Sequence, residues 1–275
     1  MAIADIQNLE EMARRCRIEI CRMTHRAQAG HPGGSLSEID ILCALYGYRL
    51  RVNPDDPEWE DRDRFILSKG HASPGMYAVL AEMGFISNED LKSYRVKGGV
   101  CQGHVDMKWC PGVDFSAGSL GMGLSFGMGC AVAAKLDGSN RNAYVMVGDG
   151  EIQEGSVWEA AMAAAHHELG NLKLFIDCNG IQNDDFCEAQ MRMFDIPAKW
   201  ESFGWAVKVI DGHNMSSIVE SIDWMDTVTD KPAVVVAMTV KGKGVSFMED
   251  NPAFHGAAPS DEQLELALSE LGVNA

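Results

Sequence analysis

The sequence predicts an α/β fold with a mostly parallel sheet flanked by helices, and two observations carry that expectation. Apolar residues run through Asn142-Ala-Tyr-Val-Met-Val-Gly-Asp-Gly-Glu151 and again through Leu172-Lys-Leu-Phe-Ile-Asp-Cys-Asn-Gly-Ile181. Each run has the length of a buried strand and ends in a polar, glycine-bearing tip. Between them, residues 154–169 have helical spacing. Strand, helix, strand is a βαβ unit, so the strands lie parallel and both tips emerge at one carboxyl edge. Open α/β sheets bind ligands at that edge.

The remaining elements follow in order. Residues 5–28 read as an amphipathic helix that stops before Gly30-His31-Pro32-Gly33-Gly34. Ser35 or Ser37 is placed to cap a second helix running to about Tyr48. Arg64-Phe-Ile-Leu67 is a short buried strand leading into Ser68-Lys-Gly-His71, and a helix follows near residues 75–83. Residues 95–118 carry several glycines and His104 without periodicity, and so long a loop in a compact domain is usually functional. Residues 120–136 and 153–169 read as helices rich in Gly and Ala. Gly123, Gly127, Ala131 and Ala134 share one face of the first, and Ala160, Ala161, Ala163, Ala164 and Ala165 recur in the second. Bare faces let another backbone approach closely; we expect them at a subunit interface, with packing inside the domain's own core as the alternative. Strands at 206–210 and 233–239 enclose a helix at about 215–226, and residues 260–271 form a short acidic helix. Residues 1–275 contain no repeat or linker and read as a single domain.

Composition narrows the function. Hydrophobic residues make up 46% of the chain, ample for a core, and the formal charge is −17. That charge argues against nucleic acid or an anionic membrane as partner, because both attract basic patches. No apolar run approaches the roughly 20 residues of a membrane span, and no signal peptide opens the chain. The 8 cysteines form no CxxC pair and fit reduced thiols in a cytoplasmic protein. Cys101 and Cys110 flank His104, but the spacing matches no standard zinc pattern.

The chemistry concentrates at the strand tips. Gly148-Asp149-Gly150 and Asn179-Gly180-Ile181 present a carboxylate, an amide oxygen and a free carbonyl, hard donors suited to Mg²⁺ carried with a diphosphate. A dinucleotide fold competes, with Asp177 placed to hold a ribose. Gln153 stands where the third glycine of that fingerprint belongs, and Asp149 would face a pyrophosphate unneutralised. A metal between them turns that repulsion into attraction. His31, His71, His104 and His255 each sit in a glycine-bearing loop, where missing bulk lets a ligand reach the imidazole. His25, His166 and His167 lie in helices and read as structural, and His213 in Asp211-Gly-His-Asn reads as turn chemistry.

In order along the chain stand Gly30-His-Pro-Gly, Leu67-Ser-Lys-Gly-His-Ala, Gly103-His, Gly118-Ser-Leu-Gly, Gly148-Asp-Gly-Glu-Ile-Gln-Glu-Gly-Ser-Val-Trp-Glu-Ala, Asn179-Gly-Ile and Lys241-Gly-Lys-Gly-Val. This set resembles the thiamine-diphosphate-binding N-terminal region of transketolases, and specifically the separate N-terminal subunit of split transketolases. The resemblance implies a three-layer thiamine-diphosphate-binding fold. It implies Asp149, Asn179 and the Ile181 carbonyl as ligands of Mg²⁺, or of Ca²⁺ or Mn²⁺ in its place. It further places His71 and Gly150 against the diphosphate and Gly118 and Leu120 beside the aminopyrimidine. His31, His104 and His255 would line the substrate funnel, and Glu154 would meet its counterpart across a subunit interface.

The family's activating glutamate, pyrimidine pocket and phosphate-gripping arginines belong to a following domain. The resemblance therefore implies half a site, completed by a C-terminal subunit, with a second copy of this chain in an α2β2 heterotetramer. The expected reaction is transfer of a two-carbon ketol unit between sugar phosphates, as in pentose phosphate metabolism. Alternatives are half of a 2-oxo acid dehydrogenase or deoxyxylulose-phosphate synthase, a transketolase-like enzyme for a non-standard sugar, or a cofactor-binding module without catalysis. Two departures stand out: Asp185 where the family usually has glycine, and Asn179-Gly180 in place of a double asparagine. Neither removes a metal ligand.

Overall fold

Alternation along five apolar strands sets the layers. The computed structural model describes residues 4–273. The strands are β1 (Arg64–Leu67), β2 (Ala143–Gly148), β3 (Leu172–Cys178), β4 (Ala206–Asp211) and β5 (Ala233–Met238). They form one sheet in the order β1-β2-β3-β5-β4, with every neighbouring pair parallel. Phe65, Tyr144, Met146, Phe175 and Val235 enter one apolar layer, while Ile66, Val145, Val147, Leu174, Ile176 and Val234 enter the other. Both faces are buried along β1, β2, β3 and β5, which is why these strands read as apolar runs, while the edge strand β4 is largely part-exposed. The register sets Gly148 opposite Asp177 and Asp177 opposite Ala237, so the tips of β2, β3 and β5 lie side by side.

The helices are α1 (Ile6–Ala27), α2 (Pro32–Ala44), α3 (Ser73–Glu82), α4 (Met122–Leu136) and α5 (Gly155–His166). After them come α6 (Cys187–Gln190), α7 (Ile196–Ser202), α8 (Met215–Thr227) and α9 (Asp261–Glu270). Helices α1, α2, α3 and α8 pack together on one face, and α4, α5 and α7 cover the other. All 13 residues of α2 are buried, as expected of a helix that is apolar around most of its surface. Among the described residues no helix is long and apolar enough to cross a membrane.

Three sequence expectations shift. Helix α2 starts at Pro32 with His31 at its N-cap, ahead of the expected serine caps, because proline's locked φ suits a first helical turn. Ser35 instead donates to the His31 carbonyl (2.9 Å) and Ser37 to Asp177 (2.6 Å). Past Ala44 the helix continues as one wider π turn, Leu45–Arg49. Helix α7 was not expected, although Asp195 caps it by accepting from Ala198 N at 3.0 Å and Pro197 sits in its first turn.

The bare helical faces pack inside the chain's own core, the alternative reading of the sequence. A Cβ on Gly123 would overlap Ser68, and one on Gly127 would overlap the Val145 side chain of β2. Ala131, Ala160, Ala161 and Ala164 are buried in the same layer. These faces let α4 and α5 settle onto their own sheet, and close packing offsets the helical cost of glycine. The outward side of α4 is apolar instead, with Met122 (48%), Phe126 (38%) and Leu136 (83%) exposed.

This packing separates two glycines of one helix. Gly127→Ala should destabilise the chain by about 1–3 kcal/mol through overpacking. Gly129→Ala, with open space around its Cβ, should be neutral or stabilising by up to about 1 kcal/mol. Urea unfolding of the two variants checks this; equal effects would contradict the packing described.

Candidate active site

The carboxylate of Asp149 ties two strand tips together. Its Oδ1 accepts from Gly150 N at 2.8 Å and its Oδ2 from Gly180 N at 2.6 Å. Gly180 has φ +76°, a left-handed turn that favours glycine, and so the chain can bring that N–H around. Ile181 N then donates to Asn179 Oδ1 at 3.1 Å. The segment beyond closes as a small hairpin, with Cys187 N bonded to Gly180 O at 2.8 Å and Ile181 bridged to Phe186. Asp185 is absorbed inside that hairpin, its carboxylate accepting from Phe186 N at 2.8 Å. Burial pushes the Asp149 carboxyl up to about 6, against the pull of its two N–H donors. A buried carboxylate raised this way is one that a cation would stabilise.

A cation already stands beside it. Lys241 Nζ donates to the Ile181 carbonyl and to His255 Nδ1, each at 2.7 Å. Burial, then the charge of Lys69, lowers the Lys241 ammonium to about 8. Lys69 lies beneath, 2.5 Å from Asp177 Oδ2, donating also to Gly34 O at 3.0 Å. Its Nζ is also 2.9 Å from Glu38 Oε2, an ion pair closed off from solvent. Burial raises Glu38 to about 8, with Lys69 opposing. Glu151 stitches the opposite rim, accepting from Ser68 Oγ at 2.5 Å, Gly121 N at 2.8 Å and Gly148 N at 3.1 Å.

Four histidines converge above this floor. The His31 ring lies 5.1 Å from His71, 5.4 Å from His255 and 6.1 Å from His104. His71 and His255 stack at 5.3 Å. All four are held below the ordinary imidazole value. Burial and then His104 take His31 to about 4; burial and then Lys241 take His255 to about 3. Burial and then Lys69 hold His71 well below, and burial and then Arg95 lower His104. At neutral pH each ring is therefore uncharged, with one donor and one acceptor nitrogen. Because Lys241 occupies His255 Nδ1, the His255 proton sits on Nε2. His31 Nδ1 is buried without a partner.

The residues expected at the cofactor and substrate site all line one cavity of about 410 Å³: His31, His71, His104, His255, Glu154, Gly118, Leu120, Gly150, Asp149, Asn179 and Ile181. Gly34, Lys69, Glu151, Gln182 and Lys241 line it too and were missed. For Lys69 and Lys241 the signal was present, a lysine beside glycine in each quoted motif. A cavity of about 460 Å³ opens elsewhere, lined by Arg49, Lys135, Arg141 and Lys173. There Lys135 donates to His167 O at 2.8 Å and Lys173 to Val228 O at 2.8 Å, just past the ends of α5 and α8. Those cations satisfy helix C-termini, a structural task.

The donor set fits a hard divalent cation bound with a diphosphate. Asp149 carries a buried carboxylate, the Ile181 carbonyl already meets an ammonium, and Asn179 Nδ2 donates to Asp177 at 3.0 Å, which identifies Oδ1 as the other amide atom. Comparison with known proteins gives the family. Residues 9–275 match the family described as transketolase, thiamine diphosphate binding domain. The chain belongs to the transketolase family. It is 39% identical to an apulose-4-phosphate transketolase subunit of Phocaeicola vulgatus, over 97% of this chain and 94% of that protein. The 6-deoxy-6-sulfo-D-fructose transketolase subunit SqwG of a Clostridium species is 37% identical, over 97% of this chain and 96% of that protein. Human transketolase is 34% identical, but this chain spans only 42% of it. The transketolase of Campylobacter jejuni superposes with a TM-score of 0.93 at 33% identity, covering 100% of this chain and 44% of that one.

The histidine cluster makes stability depend on pH. Lowered folded-state values mean that the unfolded chain binds protons first, so stability holds above about pH 6.5 and declines as pH falls toward 4. Replacing His31 by Asn should remove about one proton from the uptake on unfolding near pH 5. Denaturant titrations across that range read the slope; an unchanged slope would contradict the neutral-histidine assignment.

Proposed function

We propose that this chain is the N-terminal subunit of a two-subunit transketolase, binding Mg²⁺ and the diphosphate of thiamine diphosphate and lining the channel for a ketose donor. The observation carrying this is the convergence of Asp149, Asn179, Ile181 and four neutral histidines in one cavity, in a chain that matches transketolase subunits over 97% of its residues. Asp149, Asn179 Oδ1 and the Ile181 carbonyl would hold the metal. Lys241, His71 and the Gly150 backbone would face the diphosphate, and Gly118 and Leu120 would lie beside the cofactor's ring.

Bound thiamine diphosphate supplies an electron sink for breaking a bond next to a carbonyl. The protein's own part is binding, orientation and proton placement. His255 carries its proton on Nε2 because Lys241 holds Nδ1, and His31 lines the same cavity as a neutral ring with one donor and one acceptor nitrogen. Neutral imidazoles suit sugar hydroxyls better than cations do, since each can donate and accept. The names of the relatives, which point to apulose 4-phosphate and 6-deoxy-6-sulfo-D-fructose, support a ketose carrying an anionic group, including non-standard sugars.

A partner subunit would complete the site over the outward apolar face. Leu120 (36% exposed) lies on the cavity rim with exposed Glu154, and Met122 and Phe126 continue the face along α4. An α2β2 heterotetramer, with Glu154 meeting its symmetry mate, fits this rim. Burial pushes Cys21 and Cys101 up to about 12, which suits thiols kept reduced in a cytoplasmic setting.

Two measurements test the proposal. The purified chain with Mg²⁺, thiamine diphosphate, xylulose 5-phosphate as donor and an aldose phosphate as acceptor should give no ketol transfer until a C-terminal transketolase subunit is supplied; turnover by the chain alone would overturn the two-subunit reading. In the assembled enzyme, Asp149→Ala should weaken Mg²⁺-dependent cofactor binding by at least about 100-fold, roughly 2.7 kcal/mol. Calorimetry showing retained affinity would remove Asp149 from the metal site.

A further inference from the structure

Lys241 reaches the cavity from the loop after β5, not from a strand or helix, so something must hold that loop. Backbone bonds contribute, among them Asp250 N to Lys241 O at 3.0 Å, and two side chains grip the backbone on either side of the lysine. Val240 N donates to His213 Nε2 at 2.8 Å, and Arg17 Nε donates to Lys243 O at 3.2 Å. Both holders end on one carboxylate. Asp40 accepts from Arg17 Nη1 at 3.0 Å and Nη2 at 2.6 Å, and it faces His213 Nδ1 at 2.8 Å. A backbone N–H can only donate, so Nε2 is the acceptor and the ring proton lies on Nδ1, toward Asp40. The Arg17 and Asp40 side chains are 11% and 9% exposed. Burial opposes the Asp40 charge, but Arg17 and His213 outweigh it and keep the carboxyl below its ordinary value. Gly242 N adds a bond to Gly33 O at 3.0 Å, beside the His31 loop.

We propose that Arg17, Asp40 and His213 form a clamp that positions Lys241. The clamp touches neither Asp149, Asn179 nor Ile181; it sets the backbone on both sides of Lys241 and so the place of its ammonium against the Ile181 carbonyl. His213 thus does more than the turn chemistry of Asp211-Gly-His, where Asp211 Oδ1 accepts from His213 N at 2.9 Å. The value of the clamp to cofactor binding rests on the reading of Lys241 as a diphosphate-facing cation. Residues that hold a binding group at one remove act through orientation, and their loss is read at the group they hold.

Lysine acetylation of the full chain, followed by mass spectrometry, tests the clamp without any cofactor. Lys241, Lys69 and Lys173 are each 2% exposed and should all react slowly in the wild type. His213→Ala should raise the rate at Lys241 by about tenfold or more through local opening, leaving Lys69 and Lys173 protected. His213→Gln, whose amide can donate to Asp40 and accept from Val240, should restore protection. If His213→Ala fails to fold, Asp40→Asn is read the same way. Unchanged protection of Lys241, or joint exposure of all three lysines, would overturn the proposal. A second arm titrates Mg²⁺ with thiamine diphosphate. His213→Ala should weaken binding alone yet add nothing in a Lys241→Met background, and an additive loss would overturn action through Lys241. If Lys241→Met itself leaves affinity intact, the reading of Lys241 as a diphosphate ligand fails, and the acetylation result still decides the clamp.

Discussion

Asp177 is a carboxylate fully shut off from solvent beneath the carboxyl edge of the sheet, and much of the site is arranged to compensate it. Ser37 from α2 donates at 2.6 Å, Lys69 from the end of β1 at 2.5 Å, Thr239 from the end of β5 at 2.5 Å and Asn179 from the end of β3 at 3.0 Å. Burial disfavours its charge, yet Lys69 and these donors outweigh that and hold the carboxyl below its ordinary value. Leaving a buried charge unpaired is strongly destabilising, so the four segments are obliged to meet. Their meeting turns the Asn179 amide, because a carboxylate only accepts and must face the NH₂ end. The orientation of a candidate metal ligand follows from the neutralisation of a residue that never reaches the cavity.

The same logic runs outward from Asp177. Lys69 answers it, and the charge of Lys69 then helps lower Lys241, His71 and His255. Lys69 and Lys241 thus stand among buried carboxylates at the cavity floor, beneath walls of neutral imidazoles. Such an arrangement suits a cation and an anionic diphosphate below and uncharged hydroxyls above, and it is built largely from burial. Glu151 does for the outer rim what Asp177 does for the floor, drawing Ser68, Gly121 and Gly148 together around a second buried carboxylate.

Much of this was legible in the sequence. Strands buried on both faces announce themselves as apolar runs, and glycine-flanked Asp149, Asn179 and the four histidines mark loops cleared for a ligand. What escaped was long-range. Asp177 looked like a ribose holder for a competing fold, because its partners Ser37 and Lys69 lie 140 and 108 residues away in sequence. His213 looked like turn chemistry for the same reason, since Asp40 is 173 residues distant. The glycine face of α4 showed that something approaches closely but not what; the answer was Val145 of its own sheet rather than a second subunit. Periodicity identifies a face, and only the fold says what covers it.

The central claim is that the tips of β2 and β3 form a cation–diphosphate site in which Lys241 now occupies one of the cation's contacts. A crystal structure of the chain grown with Mn²⁺ and thiamine diphosphate tests it most directly, using the anomalous signal of the metal. The account predicts a single strong peak in contact with the Asp149 carboxylate, Asn179 Oδ1 and the Ile181 carbonyl, with Lys241 Nζ moved off that carbonyl toward the diphosphate. Metal bound elsewhere, or Lys241 still seated on Ile181 with the cofactor present, would contradict it.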